Sequence, residues 1–217
     1  MSTETTSPTS RRGKNGTVDA KAPGAPAAVG TIADPAPLGL GAFAMTTFVL
    51  SVFNTNLIGN AALSAVVLPF ALFYGGAAQL LAGMWEFKRN NTFGALAFTS
   101  YGSFWLAFAG YVKFVAPGLP AAQAHEATGV FLLVWTIFTV YMFIPSMRTN
   151  RVVMAVIGAL AITFALLTIG NLGSHPEIVK AGGWVGFITA ILAWYGSMAG
   201  VTNATWGRTV LPVWPAA

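Results

Sequence analysis

The sequence predicts an all-α membrane protein with six transmembrane helices. Three observations predict it. Apolar residues make up 55% of the 217 and charged residues only 8%, whereas a soluble domain carries about a quarter charged residues to clothe its surface. The apolar residues fall in stretches near the ~20 residues that cross a hydrocarbon core of ~30 Å. The breaks between these stretches are short and polar, and several hold Pro, Asn, Lys or Arg.

Residues 1–33 are rich in Ser, Thr, Pro, Gly and Ala without apolar periodicity and read as a disordered tail. No apolar run follows Arg11 and Arg12, so they do not open a signal peptide. Residues 34–200 form the six-helix domain. A first helix is expected over 38–53, followed by a polar turn over 54–60. The second is expected over 62–87, bent near Pro69. Lys88, Arg89, Asn90 and Asn91 make a short polar loop before a third helix over 93–115, which stops before Pro117. A longer loop over 117–126 contains Gly118 and Pro120. The fourth helix is expected over 128–144, ended by Pro145, and the fifth over 152–172. Gly173 to Pro176 is a loop, and a sixth helix covers 179–199. Residues 201–217, with Arg208, read as a polar tail.

Six spans put both termini on one side. That side then holds Arg11, Arg12, Lys14, Lys21, Lys88, Arg89, Arg148, Arg151 and Arg208, against Lys113 and Lys180 opposite. The bias argues for cytoplasmic termini in a plasma (inner) membrane. The basic residues are spread along the chain with no basic-aromatic cluster, so nucleic acid is not an expected partner. The chain has no cysteine, which excludes disulfides, thiolate metal sites and Cys nucleophiles. There is no Gly-x-Ser-x-Gly, His-Glu-x-x-His or phosphate-binding loop, and no paired intramembrane carboxylates. An enzyme, a cofactor and a metal are therefore not expected. His125 and His175 are expected in loops and in water.

Lipid cannot satisfy polar groups, so polar side chains in the spans should face protein or a water path. Phe43, Thr47, Ser51 and Asn54 share one face of the first helix. Gly75, Gln79, Gly83 and Glu86 share one face of the second, with Tyr74 beside it. The third carries Thr99, Ser100, Tyr101 and Ser103. The fifth carries Leu160, Thr163, Leu167 and Asn171 on one stripe. These mildly polar, mostly uncharged faces suit a narrow path for a small polar solute. Ser and Thr in such helices also commonly bond their own backbone carbonyls. Glu86, the acid inside a span, is expected at the interface near Lys88. The Gly182/Gly186 pair and the small residues of the second helix permit close helix packing, with or without a path.

The run Asp34-Pro35-Ala36-Pro37-Leu38-Gly39-Leu40 resembles the Asn-Pro-Ala-Pro-Leu-Gly-Leu signature of the acetate uptake transporter family, which includes succinate–acetate permeases. The resemblance continues through Phe73 to Gln79, Asn91 to Gly94, Phe98 to Trp105, Phe164 to Leu167, Ile169 to Asn171 and Gly207 to Pro212, covering about 34–212. It implies six helices around a path in each protomer, a homohexamer, and transport of acetate and, in some members, succinate. It also implies a hydrophobic constriction, which falls on Phe43, Tyr101 and Leu160, each near mid-span. The visible departure is Asp34, where the family usually has Asn. An acid there disfavours a nearby anion unless it is paired or protonated.

Together these readings describe a short carboxylate that enters among neutral donors, including Thr47, Tyr74, Gln79 and Asn171. It then sheds water to pass Phe43, Tyr101 and Leu160, with one hydrogen bond from Tyr101. Asp34 and Glu86 are the acids with a charge role, and proton coupling is left open. The alternatives are a channel for neutral solutes such as urea or ammonia, and a scaffold or sensor with no pore.

Overall fold

The computed structural model describes residues 32–215; the expected 1–33 tail lies almost wholly outside them. Six long helical elements follow one another: α1 (Ala36–Asn54), α2 (Ala62–Lys88), α3 (Thr92–Gly110), α4 (Ala121–Ser146), α5 (Arg151–Leu172) and α6 (Pro176–Trp206). All but α3 are long and apolar enough to cross a membrane. α3 is a 19-residue helix in which Thr, Ser and Gly dilute the aromatics. The outer faces of the bundle are apolar, with Ile137, Val140, Ile188, Ile191 and Val201 exposed, while Thr46, Gln79, Glu86, Thr139 and Thr189 are buried. That inverted pattern belongs to a chain whose solvent is lipid.

Local chemistry sets the helix starts. Asp34 Oδ1 accepts the backbone N–H of Ala36 at 3.0 Å. Asn91 and Asn150 accept the N–H groups of Gly94 and Val153 at 3.1 and 2.9 Å, capping α3 and α5. α2 does bend: its start coincides with a 3₁₀ helix that begins one residue earlier (Ala61–Val66), and past Pro69 it widens into π-helical turns over Phe70–Ala78. Proline removes a backbone donor and disturbs the regular ladder there.

Four sequence expectations are corrected. α4 starts at Ala121, not near 128, so His125 lies on an exposed helical turn rather than in a loop. Pro120 is extended and marks the start, and the Ala-rich turns after it favour helix although they are polar. Pro145 sits inside the last turn of α4, which ends at Ser146. α6 is longer at both ends than 179–199, with His175 at its N-cap position. Its extension to Trp206 is held by a folded-back C-terminal strap. Asn203 Oδ1 accepts from the N–H groups of Val210 and Leu211, Tyr195 O–H donates to the Pro212 carbonyl, and Arg151 N–H donates to the Trp214 carbonyl.

In projection α1 lies between α2 and α6, α6 packs on α5, α5 on α4, and α3 on α2. Two kinds of contact set the spacings. Small residues bring backbones together: a Cβ on Gly183 would lie 2.7 Å from the Thr55 backbone nitrogen, and one on Gly186 2.4 Å from Ser51 Oγ. Aromatic rings hold α3 and α4 apart: Phe104 meets Phe131 and Trp135, and Tyr111 stacks on Phe131 at 5.6 Å. Most buried Thr hydroxyls return to their own helix. Thr46 bonds the Ala42 carbonyl, Thr163 that of Ala159 and Thr189 that of Val185.

The ion pair of Asp34 with Arg89 joins the start of α1 to the end of α2. The bond from Arg151 to Trp214 joins the α4–α5 loop to the C-terminal strap. Lys88, Arg89, Arg148, Arg151 and Arg208 therefore belong to one end of the bundle, while Lys113, in the turn that follows α3, and Lys180, in the first turns of α6, lie opposite.

Candidate functional site

Two cavities lie inside the helices, one toward each end. The first, about 400 Å³, is lined by Asp34, Gln79, Glu86, Arg89, Asn91, Thr149 and Asn150 and by apolar residues of α1, α3 and α5. The second, about 230 Å³, is lined by Thr47, Ser51, Asn54, Thr163, Asn171 and the aromatic wall of α3. Phe43 and Leu160 line both, and Tyr101 lines the first. The Phe43 and Tyr101 rings lie 6.0 Å apart. The three residues thus stand together, all buried, where one cavity gives way to the other.

The mouth of the first cavity carries opposite charges. Arg89 and Asp34 are ion-paired and partly exposed, so the acid that replaces the usual Asn is neutralised where it stands. Glu86 departs from expectation. It ends its span next to the exposed Lys88, as expected of an interfacial residue, but is itself fully buried, accepting from Asn91 Nδ2 at 2.9 Å and packed against Gly94. Periodicity places Glu86 on the face of Gly75, Gln79 and Gly83, and that whole face is buried; the helix end does not decide its exposure. Asp34→Asn should release the charge of Arg89 toward the cavity while keeping the cap on Ala36. We expect the half-saturating concentration of an anionic solute to fall by up to about fivefold, the range of an exposed pair, and the gain to vanish in high salt. Initial uptake rates at two ionic strengths check this.

Thr47 Oγ1 is buried against the second cavity with no hydrogen-bond partner among the described residues. Asn171 lines the same cavity and donates one amide hydrogen to the Leu167 carbonyl at 2.8 Å. Gln79 lines the first. Tyr74 lines neither cavity; its hydroxyl lies near Gly41 instead. Ser103 faces outward and bonds the Thr99 carbonyl, so Tyr101 is the residue of the expected third-helix set that lines a cavity.

The Tyr101 hydroxyl is also not free for a solute. It donates to Thr139 Oγ1 at 3.1 Å, and Thr139 in turn donates to the Trp135 carbonyl at 2.8 Å. Tyr101→Phe should cost about 1 kcal/mol of stability and leave solute uptake within about twofold. A tenfold loss of uptake would show that the hydroxyl turns to the solute. Sequence reasoning did not single out Thr139 or the vestibule residues Arg89, Asn91 and Asn150. The signal for the last two was their position, an Asn immediately before each of α3 and α5.

The family model described as the GPR1/FUN34/yaaH family matches residues 16–216. Over 182 residues the chain is 43% identical to the succinate-acetate/proton symporter SatP of Escherichia coli (strain K12), covering 84% of this chain and 95% of that protein. It is 42% identical over 185 residues to ammonia transport outward protein 2 of Saccharomyces cerevisiae, covering 82% of this chain and 65% of that one. The solved structure of the bacterial acetate channel SatP superposes with a TM-score of 0.78 at 43% identity, covering 84% of this chain and 99% of that chain. Matched along nearly the whole of its described length in both sequence and fold, the chain belongs to the GPR1/FUN34/yaaH family.

Proposed function

We propose that this protein transports acetate and related short carboxylates, succinate among them, across a membrane along the two cavities and the neck between them. The observation that carries the reading is that Phe43 and Leu160 are walls of both cavities. The solute enters the 400 Å³ vestibule, sheds water at the apolar ring of Phe43, Tyr101 and Leu160, and meets Thr47 and Asn171 beyond it. Gln79 serves on the vestibule side. Similarity to the acetate channel and to the succinate-acetate/proton symporter supports the cargo.

The basic end of the bundle carries the vestibule, and the positive-inside rule turns that end, with both termini, to the cytoplasm of a plasma (inner) membrane. Exposed apolar faces on α4 and α6 leave room for the homohexamer that the family resemblance implies.

A second reading, passage of a neutral solute such as ammonia, is favoured by the uncharged lining of the second cavity and by the yeast relative's name. Labelled acetate uptake into proteoliposomes, with succinate, urea and ammonium as competitors, tests both. Saturable acetate uptake blocked far more strongly by succinate than by urea is expected. No flux of any solute would leave only a scaffold or sensor.

A further inference from the structure

We propose that Glu86 hands a proton to the carboxylate in the vestibule, so that the solute enters the neck as the undissociated acid. The proposal rests on the acetate reading above and assigns its proton step to one residue.

Glu86 is 0% exposed and yet lines the vestibule. One carboxyl oxygen accepts from Asn91; the other, Oε1, has no hydrogen-bond partner among the described residues. Two turns earlier on the same face of α2, Gln79 is 1% exposed, and its Oε1 also lacks one. An ionised carboxylate with a bare oxygen inside a membrane helix is expensive. A carboxyl that holds a proton is less so, and it has a donor to give.

The neck supplies the second half of the argument. Phe43 and Leu160 offer no hydrogen bond, and the Tyr101 hydroxyl is engaged by Thr139. A carboxylate anion would meet no donor there, and an unpaired charge costs far more than the unpaired polar atoms of the neutral acid.

The surroundings permit the transfer. Asp34 before α1 and Arg89 after α2 face the same cavity and are paired with each other. α3 contributes Gly94 and Tyr101, and the α4–α5 loop the neutral Thr149 and Asn150. Lys88, on the helix of Glu86 itself, is exposed.

The step balances. The O–H bond of Glu86 breaks and an O–H bond forms on the incoming carboxylate, whose negative charge passes to Glu86. Glu86 takes a new proton from water at the mouth of the vestibule. Donor and acceptor are both carboxyl groups; the ionised Glu86 left behind is the costly state, and its bond from Asn91 holds the charge until water at the mouth returns a proton.

The test compares wild type and Glu86→Gln in proteoliposomes. It uses labelled acetate and acetamide, a neutral amide of the same shape, with leakage through protein-free liposomes subtracted. Wild type should pass both. Glu86→Gln should pass acetamide at the wild-type rate, lose at least about tenfold in acetate uptake at neutral pH, and recover as acidic buffer supplies the undissociated acid, by about tenfold per pH unit.

Acetate uptake by Glu86→Gln with the wild-type rate and pH profile would overturn the proposal. Acetate and acetamide falling together at every pH would also overturn it, since Glu86 would then be structural. So would a wild type that takes acetate and rejects acetamide, because a neutral molecule of that shape would then not cross the neck. A wild type that passes acetamide and no acetate removes the acetate reading itself, an outcome distinct from the others.

Discussion

Phe43→Ala is expected to raise uptake of bulky carboxylates relative to acetate by about tenfold or more, and Leu160→Ala to do the same more weakly. These side chains are walls of both cavities, so removing either joins the two volumes. Water then follows the solute where it could not before. An unpaired polar group in apolar surroundings costs ~2–7 kcal/mol, and recovering only 1.4 kcal/mol of that is about tenfold in rate. The larger ring leaves the larger gap, hence the order. The two effects should not add, because both substitutions open one passage. Phe to Ala in a packed soluble core costs about 3–5 kcal/mol. Here the ring borders empty space on two sides, so melting in detergent should show a loss near or below the lower figure. Acetate-to-succinate uptake ratios measure selectivity; an unchanged ratio and rate in both variants would remove the neck from the mechanism.

The faces that flank the neck are legible in the sequence, whereas the neck itself is named only by the motif resemblance. Phe43, Thr47, Ser51 and Asn54 recur at helical spacing on α1, and Leu160, Thr163, Leu167 and Asn171 on α5. The two stripes face the same 230 Å³ cavity. Periodicity reveals which residues share a face, and in a membrane chain a polar face must turn inward. It does not reveal what covers that face. Glu86 reads as an interfacial residue because it ends a span next to Lys88, and only the approach of Asn91 and Gly94 from α3 buries it. The direction of the Tyr101 hydroxyl depends on Thr139, 38 residues away on another helix. Hydropathy likewise misses helical turns that are polar, so the first turns of α4 and the last of α6 read as loop and tail. The cargo was legible only through the motif resemblance, because neutral linings of this kind serve acetate, urea and ammonia alike.

The seam between α2 and α3 carries the largest expected effect on stability. A Cβ on Gly83 would lie 2.3 Å from Thr99 Oγ1 and 2.4 Å from the Thr99 backbone nitrogen; one on Gly102 would lie 2.6 Å from the Leu80 nitrogen and 2.9 Å from the Gly76 carbonyl oxygen. A side-chain tip can swing aside, but backbone cannot move without moving its helix. Overpacking typically costs 1–3 kcal/mol where side chains can yield, so Gly83→Val and Gly102→Val should cost about 3 kcal/mol or more and leave little folded protein. Gly83→Ala should be the milder member of the series. The damage is also functional, because Gly83 lies between Gln79 and Glu86 on one face of α2, and parting the helices displaces both residues of the vestibule wall. Gly110 is the control. It is helical, with φ −62°, and a Cβ there meets nothing within 4 Å, so Gly110→Ala should be neutral or stabilising by up to about 1 kcal/mol. Thermal melting of the purified variants, read beside their acetate uptake per folded molecule, separates the outcomes. A Gly83→Val protein as stable as Gly110→Ala would mean that α2 and α3 do not touch along this seam.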